Sequence, residues 1–147
     1  MRLYPAGVCV VGAATEMSRI AVTMGSLVSL SLDPPLVGIS VGVENALHEL
    51  LRDASTFGVS FLRGDQESVA RRFARGMPPI AVWDGVALRE SATGAPLLGG
   101  ALGWLEARVV AEHSVGDHTF FVGEVVASAE GGPGPALVYR LGGYHPA

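Results

Sequence analysis

Lysine is absent from this chain, and cysteine and long apolar segments are scarce. All ten basic residues of the 147-residue chain are therefore arginine, so any fixed cation here is a guanidinium. Against fourteen acidic residues they give a formal net charge of −4, which lacks the basic excess of a nucleic-acid binder. The missing lysine also excludes the phosphate-binding loop motif that ends in Gly-Lys.

The one cysteine, Cys9, excludes an intrachain disulfide and a zinc site with several cysteines. It lies in the apolar run 8–11, so we expect a packed and unreactive thiol rather than a reactive one. The four histidines are scattered along the chain, at His48, His113, His118 and His145. Metal ligands usually show tight spacing, so we predict no metal site.

No uncharged stretch reaches the roughly 20 apolar residues that span a membrane. The pattern of a cleavable signal peptide is also missing, so we expect a soluble cytoplasmic protein. Hydrophobic residues nevertheless make up 49% of the chain and charged residues only 16%, which excludes intrinsic disorder. This composition indicates apolar surface hidden against a partner, most simply a second copy.

Twenty glycines and nine prolines separate short runs rich in β-branched residues, which is typical of a mainly β domain. The predicted strands are 8–14, 20–23, 27–32, 36–41, 57–62, 104–114, 118–129 and 136–139. The predicted helices are 45–53 and 66–74, capped by Asn45 and Asp65, while 76–100 is predicted as loop and 142–145 as a tail. A closed or nearly closed antiparallel barrel with helices at its ends fits this order, as one domain over 1–147.

Motifs for a Rossmann cofactor site, a zinc protease and a serine nucleophile are missing. The segment 23–29 is the first candidate binding site, because small hydroxyl residues beside a glycine leave backbone N–H groups open to a phosphate or a flat heterocycle. The alternative is a strand whose serines face solvent. The residues concerned are Thr23, Met24, Gly25, Ser26 and Ser29.

Two further features carry chemistry. Arg71 and Arg72, with Arg75, end a predicted helix and suit a phosphate, although arginine there also offsets the helix dipole. His118 follows the tight turn of Gly116-Asp117, where it would meet a ligand edge-on, or else simply cover the hairpin.

Taken in order, many segments resemble the flavin reductase family over nearly the whole chain. They are Tyr4-Pro5-Ala6-Gly7-Val8, Thr23–Leu36 with its Asp33-Pro34-Pro35, His48-Glu49-Leu50-Leu51-Arg52, Phe57–Leu62, Ala70-Arg71-Arg72-Phe73-Ala74, Pro96-Leu97-Leu98, Trp104-Leu105-Glu106, Gly116-Asp117-His118-Thr119, Phe121–Val125, Tyr139-Arg140 and Tyr144-His145.

The resemblance implies an FMN-binding split barrel, a mainly β antiparallel fold, that forms a homodimer with FMN or FAD at the interface. It implies hydride transfer from NADH or NADPH to flavin, with reduced flavin passed to a partner monooxygenase. By the same resemblance, 23–29 holds the isoalloxazine and ribityl groups, and Arg71, Arg72 and Phe73 lie near the phosphate. His118, the expected catalytic residue, and Tyr144 lie where nicotinamide docks. The absence of a catalytic triad suits a cofactor that itself does the chemistry.

Three positions depart from the family pattern. Gly25-Ser26-Leu27 stands where the family commonly has two serines and a phenylalanine. After the strand 36–41, the family commonly has serine or threonine hydroxyls that bind the phosphate, and this chain has Asn45, Ala46 and Leu47 instead. The loop 76–83 is short, with Arg75 a substitute cation. A flavin-free barrel that binds a small organic molecule, as a binding module, cyclase or isomerase, is the alternative hypothesis. The sequence does not show whether FMN or FAD is preferred, or whether NADH or NADPH is the hydride donor.

Overall fold

The computed structural model describes residues 1–74 and 79–147, which are mostly antiparallel β-strand. The strands are β1 (Ala6–Gly7), β2 (Cys9–Ala14), β3 (Arg19–Met24), β4 (Val28–Leu32), β5 (Pro35–Gly42), β6 (Thr56–Phe61), β7 (Leu88–Arg89), β8 (Leu97–Leu98), β9 (Gly103–Val115), β10 (His118–Glu130), β11 (Leu137–Arg140) and β12 (Gly143–Pro146). The helices are α1 (Ala46–Ala54), α2 (Glu67–Ala74) and α3 (Pro79–Val82).

Seven strands form one antiparallel sheet in the order β3-β2-β6-β9-β10-β5-β4. The two edge strands, β3 and β4, are consecutive in the chain, and their connection is tied back to β5. Ser26 Oγ donates to the Ser40 carbonyl at 3.1 Å and accepts from the Ser40 N–H at 3.2 Å. The predicted mainly β antiparallel barrel is confirmed, and it is of the split type.

Helix α1 packs an apolar face into the main core. Leu47, Leu50 and Leu51 are buried there with strand residues such as Val59 and Phe121. The helix begins where it was predicted, because the Asn45 Oδ1 accepts a hydrogen bond from the Leu47 N–H at 2.9 Å. It ends at Ser55, whose φ of 59° is left-handed.

Helix α2 packs into a second core cluster, in which its buried Ala70 and Phe73 lie with Val8 and Val10. The Thr23 hydroxyl donates to the Ala70 carbonyl at 2.7 Å and so joins this helix to β3. The prediction that Asp65 caps α2 is wrong. Its carboxylate pairs with the Arg63 guanidinium at 2.7 Å, and the helix begins at Glu67.

The segment predicted as loop, 76–100, contains α3, β7 and β8. The predicted tail is also a strand, since Tyr144 in β12 pairs with Tyr139 in β11, and β1 completes that three-stranded sheet. These elements have two to four residues, too few to show a period. The short strands β7, β8 and β12 form because neighbouring strands supply their hydrogen-bond partners. The predictions for Arg75 and for 76–78 lie outside the described residues.

Cys9 is packed as expected. Its side chain is 3% exposed, its Sγ donates to the Met24 carbonyl, and burial raises the pKa of the thiol to about 12. In the described ranges, no helix combines the length and the apolar character needed to cross a membrane.

Candidate functional site

His118 is the first residue of β10, directly after the two-residue turn that joins β9 to β10. Gly116 in this turn has a φ of +61°, which suits glycine, and His118 stands opposite Gly42 of β5. The His118 Nδ1 lies 2.7 Å from the Asp117 Oδ1. A carboxylate only accepts, so Nδ1 donates, and this bond lowers the pKa of Asp117. The exposed ring therefore has Nε2 as its remaining polar atom.

The N-terminal end of α1 lies beside this hairpin. The Val43 N–H donates to the Asp117 carbonyl at 3.0 Å, and the Asn45 N–H donates to the Gly42 carbonyl at 3.0 Å. Asn45 is thus close in the chain to the residue that His118 faces, although its side-chain oxygen already serves as the helix cap.

The hydroxyl groups of 23–29 serve mainly the fold. Thr23 binds α2 and Ser26 binds β5, while Met24 is half-buried. A side chain at Gly25 would bring its Cβ to 2.9 Å from that of Ala6, so packing accounts for this glycine. Ser29 alone of the three hydroxyl residues in the segment is exposed, on the edge strand β4.

The two arginines of α2 differ in their partners. Arg71 forms an ion pair with Glu67 at 2.6 Å, and its guanidinium lies 5.1 Å from the ring centre of Tyr144. Arg72 donates from Nη1 to the Asp84 carbonyl at 2.6 Å. Burial raises the pKa of Tyr144, and the charge of Arg71 offsets part of that effect. Phe73 is 3% exposed and packs edge-on against Trp83, so its ring supports the helix instead of presenting a surface.

The structure thus collects the candidate residues into two groups. Ser26 binds Ser40 of β5, and Gly42, which pairs with His118, lies two residues further along the same strand. The two contacts are therefore about 7 Å apart along β5. Asn45 belongs to the same end of the barrel. Arg71 and Tyr144 form the second group, to which Thr23 is linked through the backbone of α2.

A cavity of about 270 Å³ adjoins the turn between β3 and β4. Gly25 and Leu27 line one side of it, and the N-terminal segment 4–9 lines another. Leu27 is half-buried at its wall, whereas Leu47 is fully buried in the core and does not reach this space.

Two buried polar residues with structural roles were missed by the sequence reasoning. Glu106 and His48 both lie in segments that carry the family resemblance. Their hydrogen-bond partners Ser91 and Thr119 are distant in the sequence, so no local motif indicates these contacts. Glu106 is 5% exposed and accepts hydrogen bonds from the Ser91 hydroxyl, the Ala92 N–H and both donors of Thr93. Over the described residues, no group of three His, Cys, Asp or Glu side chains is placed to hold a metal ion.

Comparison with known proteins places these features in a family. The family model described as a flavin reductase like domain matches residues 1–147, the full length of the chain. The chain belongs to the flavin reductase family. The family membership expected from the resemblance is confirmed.

Relatives of this flavin reductase domain are similar along most of their length. An NADH-dependent FAD reductase from Streptomyces globisporus is 41% identical over 130 residues, covering 85% of this chain and 70% of the relative. An NADH-dependent FMN reductase from Agrobacterium fabrum is 36% identical, covering 86% of this chain and 71% of the relative. The solved structure of the flavin reductase component of a bacterial two-component tryptophan halogenase has a TM-score of 0.92 at 36% identity, covering 99% of this chain and 92% of that one.

Proposed function

We propose that this chain is a flavin reductase that oxidises NADH, reduces FMN or FAD, and supplies the reduced flavin to a partner oxygenase. The observation that carries the proposal is the full-length family match together with relatives named as NADH-dependent FAD and FMN reductases. The partner is inferred from the similar reductase component of a halogenase. The flavin-free alternative has no such relative among those compared above, so the reductase is favoured.

Two separate regions of the described residues suit the two ends of a flavin: a cavity suits the flat ring, and the arginines of α2 suit the anionic end. The cavity beside Gly25 and Leu27 has apolar walls, and Ser29 adds an exposed hydroxyl next to it in the chain. For the phosphate, Arg72 uses one of its five N–H donors on Asp84 in the described contacts. The exposed ion pair of Arg71 with Glu67 is worth at most about 1 kcal/mol in water, so a phosphate competes with it readily.

In this reaction the flavin itself accepts the hydride, so the chain's own residues bind and orient. His118 presents Nε2 at the mouth of the barrel while Asp117 fixes the ring through Nδ1. We propose that His118 contacts the nicotinamide and holds it over the flavin. Tyr144, which lies in the second group with Arg71, would border the nicotinamide from there. Asn45, Ser26 and the backbone of 23–26 would position the flavin. Hydride transfer depends steeply on such alignment, because a 1 Å misplacement lowers the rate by about 10²-fold.

We further propose a homodimer in which the flavin sites lie between the two chains. The support is apolar surface: Leu32 on the edge strand β4 is 90% exposed, and Val28, Leu30, Val110 and Val126 are exposed on β4, β9 and β10. Exposed apolar groups in this number are typical of an interface. Sedimentation equilibrium should give the mass of two chains, and the mass of one chain would contradict the proposal. The single domain and the cytoplasmic location stay predictions.

Replacing Arg72 with alanine should weaken FMN binding roughly 10- to 100-fold and leave riboflavin binding within about twofold. The reason is that only FMN carries the phosphate, and a guanidinium–phosphate contact is worth about 1.5–3 kcal/mol. Flavin KM values from NADH oxidation, measured with FMN and with riboflavin, test this. Arg108→Ala is the matched control, because Arg108 pairs with Glu124 on the outside of the sheet. If the substitution weakened the binding of FMN and of riboflavin equally, Arg72 would not be a phosphate ligand.

A further inference from the structure

His48 is a buried imidazole on α1 whose two ring nitrogens are both engaged. It is 3% exposed, and its edge packs on Phe121 with ring centres 5.5 Å apart. The Nε2 atom lies 2.7 Å from the Thr119 hydroxyl, and the Nδ1 atom lies 2.8 Å from the Glu49 carboxylate. This polar ring can be buried in a helix that otherwise buries leucine because both of its nitrogens have hydrogen-bond partners.

For the neutral ring, the partners fix the direction of both hydrogen bonds. The Glu49 carboxylate only accepts, so Nδ1 carries the proton. In the neutral ring Nε2 is then the acceptor, and the Thr119 hydroxyl donates to it. Glu49 also pairs with Arg52 at 3.0 Å, which holds the carboxylate in place.

Thr119 is the residue that follows His118 in β10. Side chains alternate along a strand, so Thr119 points inward to His48 and His118 points outward. A second tie lies one residue before His118, where the Asp117 carbonyl accepts the Val43 N–H. Helix α1 and its leading turn therefore hold the backbone on both sides of His118.

We propose that His48 is a positioning residue: through its hydrogen bond to Thr119 it fixes the strand that presents His118 to the nicotinamide. This inference rests on the proposed function. His48 does not touch the reacting atoms, and its effect on the reaction runs through His118. The bond joins α1 to β10. It therefore also links the helix that Asn45 caps to the strand that carries His118.

Two pairs of variants separate this hydrogen bond from packing. The terminal atoms of glutamine reach the place of Nε2, while those of asparagine reach only the place of Nδ1. We expect His48→Gln to keep kcat within about twofold of the parent, and His48→Asn to lower kcat roughly tenfold with flavin KM little changed. At the other end of the bond, Thr119→Ser should behave like the parent and Thr119→Val like His48→Asn. If His48→Asn fails to fold, the threonine pair carries the test.

A double-variant cycle tests whether the effect runs through His118. In a His118→Ala background, His48→Asn should lower kcat less than twofold further, because the residue that it positions is gone. A full tenfold further loss would overturn the proposal, as would parental kcat in both His48→Asn and Thr119→Val. Failure of the proposed function is a separate result, since the parent enzyme would then not oxidise NADH with added flavin.

Discussion

Alanine in place of His118 is expected to lower kcat for flavin-dependent NADH oxidation by about 10- to 100-fold, with the flavin KM within about twofold of the parent. Stopped-flow reduction of FMN by NADH without oxygen measures the hydride transfer directly. The expected loss lies in that step, because the flavin contacts proposed for 23–29, Arg71 and Arg72 are unchanged by the substitution.

The physical reason lies in how the side chain is held. His118 stands at the first position of β10, opposite Gly42, and its Nδ1 is fixed by Asp117 at 2.7 Å. The ring is exposed, so its loss leaves no cavity in the core and should change the free energy of unfolding by no more than about 0.5 kcal/mol. A large kinetic effect with unchanged stability is the pattern of a residue that aligns a substrate.

His113→Ala is the matched control. This histidine is also exposed and lies on β9, in register with Phe120 of β10, but outside the candidate site. We expect its kcat to equal that of the parent. If kcat fell equally in the two variants, or did not fall in His118→Ala, His118 would have no part in the reaction.

Glutamine in place of Glu106 is expected to lower the free energy of unfolding by about 2–3 kcal/mol at pH 7. The carboxylate accepts four hydrogen bonds from the segment 91–93, and a neutral amide offers one acceptor oxygen and a donor instead. At least one N–H, that of Ala92 or that of Thr93, then loses its partner. Urea unfolding followed by circular dichroism measures the change.

The pH dependence of this effect follows from the pKa of Glu106. Burial favours the protonated form, but hydrogen bonds from Thr93, Ala92 and Ser91 outweigh it and hold the pKa of Glu106 below its ordinary 4.5. The stabilisation is therefore present above pH 4.5 and is lost as the pH falls through the lower pKa of the folded state. The difference between Glu106→Gln and the parent should accordingly shrink below pH 4.5.

Glu124→Gln provides the comparison for a charged pair on the surface. Glu124 lies on β10 and pairs with Arg108 at 2.6 Å, where both side chains reach solvent. Its loss should change the free energy of unfolding by less than about 1 kcal/mol. Matching effects at Glu106 and Glu124 would mean that the 91–93 segment is not held by the carboxylate.

The long elements of this fold could be predicted from sequence because their periods are local. The stripe of Leu47, Leu50 and Leu51 with Asn45 as cap defines α1, and the alternating runs on both sides of Gly116 define the hairpin of β9 and β10. The short strands could not be predicted in this way. Gly143–Pro146 contains two residues that usually break strands, and β12 forms because β11 lies beside it.

The residues of the candidate site also divide into those that a local sequence pattern reveals and those that it does not. His118 and the arginines of α2 were found because a turn motif and a pair of charges are visible in sequence. The use of the Thr23 and Ser26 hydroxyls in the fold depends on Ala70 and Ser40, which are distant in the chain. The bond between His48 and Thr119 joins residues 71 positions apart, and no local pattern signals a contact at that separation.

The most direct test of the central claim is oxidation of NADH by the purified full chain, followed at 340 nm with and without added FMN or FAD. The account predicts turnover that requires flavin, saturates with it, and yields reduced flavin when oxygen is removed. No flavin-dependent oxidation, together with no flavin binding at high micromolar concentration, would contradict it.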